Sequence, residues 1–389
     1  MPRKIIGLTG SFGSGASTVA EYLGEMGYQR VSLSDELHSR FPNATRSQLQ
    51  EEGNKLRASD PAYLARQVLE RIDKSDQNSK WVVDSIRNPS EVRNLASSTS
   101  EFYLFAVFAD KRLRWERVKG IANYTHSQFE ADDWKDAGDD EPSHGQRVRD
   151  CYSIADVIIS NNENWRIRKD KIEESLKQTV RQYVEYVEGK PFVPDVDEAL
   201  MAQAYANSLR SVCLKRKVGA IIAAPSGDII SSGFNAVPPK ELHCMEAFEG
   251  RCYRDHMRER FREALIPKLK DASDAEELSG MFKNLDYCRA LHAEENAILN
   301  APQHIRLFPE RAPEMAPQES DDVVTMYVTT YPCNLCANKI ARSSVRKVVY
   351  LEPYPMDEAK TILDHAKVLQ VPFQGVTFNG YFRFGRYAR

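Results

Sequence analysis

Short apolar runs that alternate with helix-like stretches limit the fold of this chain more than any other feature. KIIGLTG, starting at Lys4, reads as a strand, a glycine-rich turn follows, and STVAEYLGEMG carries helical spacing of its apolar positions. YQRVSLSD, KWVVDSIRNP, EFYLFAVFAD and ADVIISN repeat the strand pattern, several with a polar residue near the C-terminal end. Strands alternating with helices imply a mainly parallel sheet covered by helices on both faces. The acidic stretch DWKDAGDDEPSHGQ reads as a loop or lid, and RIRKDKIEESLKQTVRQYVEYVEG as an amphipathic helix. KPFVPD breaks that helix, which places a domain boundary near Pro191 and divides the chain into residues 1–190 and 191–389. Two domains suit a chain of 389 residues, and 42% hydrophobic content supplies two cores.

The second half opens with the helix DEALMAQAYANSLRS and a hairpin, KVGAIIAAP and IISSGFNAV around the turn SGD. A long insertion rich in Cys, His and charge separates Asn235 from His292. LHAEENAILN is a helix, VVTMYVTTY a strand, PCNLCANKIARSS a helix and VRKVVYLEP a strand. The seven cysteines are an odd number in a long chain, which argues against a disulfide scaffold. Three side chains stand out instead. His292 opens one helix, and Cys333 and Cys336 open another, three residues apart and so on one face. Two thiolates and an imidazole give a zinc ion three protein ligands and leave the fourth position open, as catalytic sites require. Helix N-termini favour the thiolate form. Glu294, two residues beyond His292, is placed to move protons rather than to chelate. His292, Glu294, Pro332, Cys333 and Cys336 complete the H-x-E…P-C-x-x-C pattern of zinc deaminases, in which the Glu is general acid and base.

The hairpin, HAEENAIL and TTYPCNLCANKI together resemble the deoxycytidylate deaminase branch of the cytidine deaminase superfamily, over roughly residues 195–389. That resemblance implies a mixed five-stranded sheet carrying the metal-bearing helices. It also implies a substrate hydrogen bond from Asn235, with the backbone amide of Ala293 and the ring of Tyr331 helping to hold the base. Cys244, Cys252, His256 and Cys288, with His243 beside them, form a second candidate metal cluster, but their spacing matches no metal motif.

GSFGSGAS, from Gly10 to Ser17, follows a strand and precedes a helix. Gly10, Gly15 and Ser17 fit the phosphate-loop pattern G-x-x-x-x-G-K-[ST], with Gly13 between them, but position 16 holds Ala where the pattern has Lys. Backbone N–H groups and the helix dipole still favour an anion there, whereas phosphoryl transfer lacks its cation. The domain resembles nucleoside monophosphate kinases, with Asp35, Asp84 and Arg87 expected at the carboxyl ends of strands and Arg112, Arg114 and Arg117 near a lid. It reads as a P-loop NTPase-like module holding a regulatory nucleotide, with Mg2+ as its companion ion.

The fold class expected is therefore α/β: a P-loop NTPase-like parallel-sheet domain followed by a cytidine deaminase-like α/β/α domain. The pairing resembles bacterial antiviral cytosine-nucleotide deaminases, which implies free dCMP or dCTP as substrate, zinc as cofactor, a homo-oligomer and a role in defence against phage. Two readings compete, a polynucleotide deaminase and a non-catalytic nucleotide sensor. A net charge of −3 supplies no basic field for stable nucleic-acid binding, and the complete metal-and-Glu set argues against a mere sensor. No apolar run reaches the ~18 residues of a membrane span. MPRKIIGLTGSFGSG lacks the apolar core of a secretory signal, so a cytoplasmic protein without a membrane partner is expected.

Overall fold

Two sheets organise the chain in a computed structural model that describes residues 3–75, 79–99, 101–122, 124–137, 142–162, 165–265, 288–306, 323–352 and 357–384. Strands β1 (Lys4–Thr9), β2 (Gln29–Ser32), β3 (Trp81–Ile86), β4 (Glu101–Phe108), β5 (Val157–Ser160) and β11 (Gly375–Val376) form the first, in the order β11-β5-β4-β1-β3-β2. Strands β6 (Gly219–Ala223), β7 (Ile229–Phe234), β8 (Thr325–Thr330), β9 (Lys347–Glu352) and β10 (Leu369–Pro372) form the second, in the order β10-β9-β8-β6-β7.

In the first sheet β2, β3, β1, β4 and β5 run parallel, and all eight residues of β4 are buried. Such an unbroken apolar strand is what a sheet covered on both faces demands. Ile6 and Leu8 of β1 and Tyr103, Phe105 and Val107 of β4 point into one core. Against them pack Val19, Ala20 and Leu23 of the helix Ala16–Glu25, and Val180, Tyr183, Val184 and Val187 of the helix Trp165–Val187. The apolar stripe of that long helix therefore forms where its spacing predicts.

The compact units differ from the expected division at 190/191. One takes in the chain up to Ala199, a few residues from Glu352, and the stretch from Pro372; the other holds most of Leu200 to Val371. The C-terminal return has a clear cause. β11 pairs antiparallel with β5, the Thr377 hydroxyl donates to the Ala155 carbonyl, and Phe384 stacks on Tyr103 at 5.2 Å between ring centroids.

Two local expectations are also corrected. Asp35 does not end a strand: β2 stops at Ser32, whose hydroxyl caps the helix Leu33–Arg40, and Asp35 lies exposed in its first turn. The acidic stretch from Asp133 is helical as far as Ala137, within the helix His126–Ala137, while 138–141 lie outside the described residues. Phe129, 1% exposed, Asp132, 7%, and Asp136, 0%, all turn inward, so this stretch is a packed helix rather than a loop. No helix among the described residues is long and apolar enough to cross a membrane.

In the second unit β6 pairs antiparallel with both β7 and β8. Ala220, Ile222, Met326 and Val328 share one core with Ala293, Ala297, Ala337 and Ile340. The two helices expected to carry the chemistry thus lie on the same face of the sheet.

Candidate active site

Backbone contacts set the position of His292. The chain leaves β7 at Asn235, and Ala236 then bridges to Leu291 through reciprocal N–H to carbonyl bonds of 3.2 and 2.9 Å. Leu291 precedes His292, the residue at the N-cap of the helix Ala293–Asn300. That helix lies directly on β7. Asn296 Nδ2 donates to the Phe234 carbonyl at 2.8 Å, Asn300 Nδ2 to the Ser232 carbonyl at 3.0 Å, and the Ser231 hydroxyl to the Ala297 carbonyl at 2.8 Å. Contact this close requires glycine at 233: a Cβ there would sit 2.1 Å from the Ala293 oxygen and 2.3 Å from the Ala297 nitrogen.

The thiols arrive from β8. Cys333 is the N-cap of the helix Asn334–Arg342, and its carbonyl accepts the Ala337 N–H at 2.8 Å. Its Sγ lies 3.4 Å from His292 Nδ1, and the Sγ of Cys336 lies 3.3 Å from the same nitrogen. Glu295 ties the two helices together, accepting the His292 N–H at 2.8 Å and pairing with Lys339 at 2.8 Å. Sequence reasoning passed over this positioning pair, although Glu at the third helical residue after a capping position is a recognisable signal.

The electrostatics suit cation binding beside a proton carrier. His292, Cys333 and Cys336 present ligand atoms all within 4.8 Å of one another. The hydrogen bond between the thiols draws Cys333 down to about 4 and holds Cys336 up, so the pair shares a proton that a cation would displace. Two sulfurs and one imidazole nitrogen fit a tetrahedral ion with an open fourth position. Glu294 is 3% exposed, and burial pushes its carboxyl up to about 7, against the opposing pull of its own backbone N–H and of His292. A carboxyl poised there both takes and returns a proton near neutral pH.

The other expected site residues fall into three groups. Asn235 stands beside the cluster through the Ala236–Leu291 bridge, but its side chain staples the hairpin: Oδ1 accepts the Val218 N–H and Nδ2 donates to the Arg216 carbonyl, each at 2.8 Å. Beyond these two bonds the amide carries a second N–H and a second lone pair. Ala293 is fully buried at the start of its helix. Tyr331 packs edge-on against Tyr350 at 4.9 Å, and its hydroxyl bonds Gln370. The second cysteine group does not assemble: among the described residues, His292, Cys333 and Cys336 alone form a metal-competent cluster, and His256 stacks on Phe248.

The glycine loop folds as its glycines require. Gly13 and Gly15 have φ of 81° and 94°, Gly15 caps the helix Ala16–Glu25, and Ser17 is exposed in its first turn. A Cβ on Gly10 would meet the Val107 carbonyl at 2.8 Å. The cations nearby are engaged. Arg117 donates to the carbonyls of Gly13, Ser14 and Asn161, Arg114 holds Asp133 at 2.6 Å, and Arg87 holds Asp136 at 2.7 Å. Asp84, 4% exposed, pairs with Arg30 at 2.6 Å, and Arg112 is exposed.

Comparison with known proteins agrees with this geometry. Residues 194–352 match the model of the cytidine and deoxycytidylate deaminase zinc-binding region, and residues 6–136 match that of an AAA domain. A deoxycytidylate deaminase of Schizosaccharomyces pombe is 27% identical over 373 residues, 94% of this chain and 96% of that protein. One from Enterobacteria phage T4 is 31% identical over 158 residues, 39% of this chain and 75% of that protein. Among solved structures, the dCMP deaminase of cyanophage S-TIM5 in complex with dCMP and dUMP is 24% identical, with a TM-score of 0.29, over 47% of this chain and 99% of that one. A His-x-Glu helix start facing a Cys-x-x-Cys helix start on one sheet defines a deaminase, a hydrolase of C–N bonds. The chain belongs to the cytidine and deoxycytidylate deaminase family, here joined to a P-loop-like α/β unit.

Proposed function

We propose that the protein deaminates free deoxycytidine nucleotides, dCMP or dCTP, to dUMP or dUTP, with zinc held by His292, Cys333 and Cys336. The observation that carries this reading is the convergence of those three ligand atoms beside a buried Glu294 whose carboxyl titrates near neutrality. Zinc, when bound, supplies the Lewis acidity that brings a water's pKa toward ~7. Glu294 accepts a proton from the water that attacks C4 of the cytosine ring and delivers it to N3. A second proton passes through Glu294 to the amino group, which leaves as ammonia while a carbonyl forms at C4. The helix contacts to β7 and the Glu295–Lys339 pair keep Glu294 and His292 in register during these transfers. Asn235, held by the hairpin backbone, offers its remaining N–H and lone pair to the nucleotide sugar, and the Ala293 amide faces the base.

The names of the relatives support a mononucleotide substrate, and the P-loop-like unit and the net charge of −3 favour free nucleotides over a polynucleotide. The N-terminal unit serves as a regulatory nucleotide site with Mg2+, its glycine loop binding phosphate without fast transfer because Ala16 replaces the lysine. Resemblance to the bacterial antiviral deaminases supports a cytoplasmic homo-oligomer that depletes deoxycytidine nucleotides during phage infection. One assay tests the substrate class: purified protein with dCMP, dCTP, CTP and a cytosine-containing oligonucleotide, read as uracil products. Turnover of dCMP or dCTP supports the reading, and turnover of the oligonucleotide alone would replace it with a polynucleotide deaminase.

A further inference from the structure

The helix His126–Ala137 meets the glycine loop through one buried carboxylate. Asp136 is 0% exposed. One of its oxygens accepts the Phe12 N–H at 3.0 Å, and the other accepts the Arg87 guanidinium at 2.7 Å. The rest of Phe12 is tied to the same helix. Its carbonyl accepts from Arg114 at 3.3 Å, and Arg114 in turn holds Asp133 at 2.6 Å. Its ring lies under the Arg46 guanidinium at 3.7 Å and edge-on to Tyr124 at 5.6 Å, and both of those side chains bond Asp132. Three carboxylates on successive helical positions thus surround one residue of the loop.

Loops of this kind hold phosphate with backbone N–H groups, and a guanidinium adds charge-assisted bonds to the same oxygens. A carboxylate makes the same bonds to the same donors. A buried carboxylate is costly unless such donors satisfy it, and here a loop amide and an arginine converge on Asp136. We propose that Asp136 is a built-in competitor for phosphate, which keeps the glycine loop closed until a nucleotide phosphate takes the Phe12 N–H and Arg87 from it.

Binding at the loop then requires the helix His126–Ala137 to lift away, because its carboxylate and the incoming phosphate need the same donors and repel each other. The helix becomes a two-state element that the nucleotide biases through its unequal affinity for the closed and open loop. The proposal rests on the reading of the glycine loop as a phosphate site and adds what opposes the ligand there.

Calorimetry on the full chain tests it, with inorganic triphosphate and Mg2+ as the probe, which brings no base to the deaminase site. Asp136→Asn keeps the shape of the side chain, but its neutral oxygen holds the arginine and the loop amide more weakly. It binds triphosphate about tenfold or more tighter than the parent. Adding Gly15→Trp to that variant removes the binding. Glu130, on the same helix, has a side chain 44% exposed that pairs with Lys111. Glu130→Gln binds triphosphate as the parent does. Hydrogen exchange needs no variant and keeps the test open should Asp136→Asn fail to fold: triphosphate speeds exchange of residues 126–137 in the parent. Equal or weaker affinity in Asp136→Asn overturns the proposal, and the glycine-loop reading survives if Gly15→Trp still abolishes binding by the parent. An equal gain in Glu130→Gln overturns it as well, because net charge alone then explains the effect. Triphosphate bound to the parent with the helix as protected as before shows that helix and phosphate do not compete, and also overturns it. Binding that survives Gly15→Trp, or no binding to either the parent or Asp136→Asn, removes the loop reading and the proposal together.

Discussion

Gly233→Ala changes a residue that supplies no catalytic group, yet it should disable the enzyme. The new Cβ would lie 2.1 Å from the Ala293 oxygen, 2.3 Å from the Ala297 nitrogen and 2.9 Å from the Asn296 carbonyl carbon. Real Cβ atoms essentially never come under 3.0 Å, and all three neighbours are backbone, so no side chain can swing away. The helix Ala293–Asn300 must retreat by about 1 Å, which overpacking data price at ~1–3 kcal/mol. That helix begins at His292 and carries Glu294 in its first turn. A misplacement of about 1 Å at a catalytic group costs ~10²-fold in rate. We expect turnover of dCMP to fall about a hundredfold and Tm by several degrees. The control is Gly24→Ala in the helix Ala16–Glu25, where a Cβ meets nothing within 4 Å. It should leave turnover alone and add up to ~1 kcal/mol of stability. Product formation by chromatography and thermal unfolding of both variants decide the matter. Parent-like turnover and Tm in Gly233→Ala would refute the seating of the helix on β7.

Three further outcomes follow from the same geometry. Cys333→Ser or Cys336→Ser should release the metal and lower Tm, and full zinc in both variants by elemental analysis would contradict the ligand set. In metal-stripped protein, Glu294 has a folded pKa of about 7, raised by burial above its ordinary 4.5. Its stabilising contribution is then complete below pH ~4.5 and is lost as pH rises through ~7, a difference of ~3 kcal/mol. Glu294→Gln removes that dependence, so the variant gains on the parent between about pH 4.5 and 8, and a gap that stays constant with pH would show that burial does not set this carboxyl. Gly15→Trp forces a bulky side chain at φ +94°, where even a Cβ lies 2.3 Å from Asn161 Nδ2. It should weaken nucleotide binding by the N-terminal unit with zinc content unchanged, and parent affinity in calorimetry would exclude the loop as the phosphate site.

The chemistry was legible because it depends on residue types at local spacings. His292, Glu294, Cys333 and Cys336 lie within single helix turns, and the structure needed only to bring two helix starts together. Most strands were legible for a similar reason, since a run such as EFYLFAVF admits few other roles. Non-local pairing was not. β11 is two residues long and joins a sheet whose other strands precede it by more than half the chain. Nothing in Gly375–Val376 announces β5 as its partner. Gly233 looks like any strand glycine until the helix lies on it. The acidic composition around Asp133 suggests a loop, but Arg46, Arg87 and Arg114 pair with Asp132, Asp136 and Asp133 and let that charge face inward on a packed helix. Asn235 shows the reverse case, a residue singled out for substrate whose amide also holds the hairpin together.

The central claim is that Glu294 moves the protons of a deamination at the His292, Cys333 and Cys336 cluster. Its most direct test is Glu294→Ala in the full chain, assayed for uracil nucleotide formed from dCMP and dCTP alongside zinc content. The account predicts a folded protein with parent-level zinc and turnover reduced by at least ~10²–10⁴-fold. Turnover near that of the parent, with the metal still bound, would contradict it.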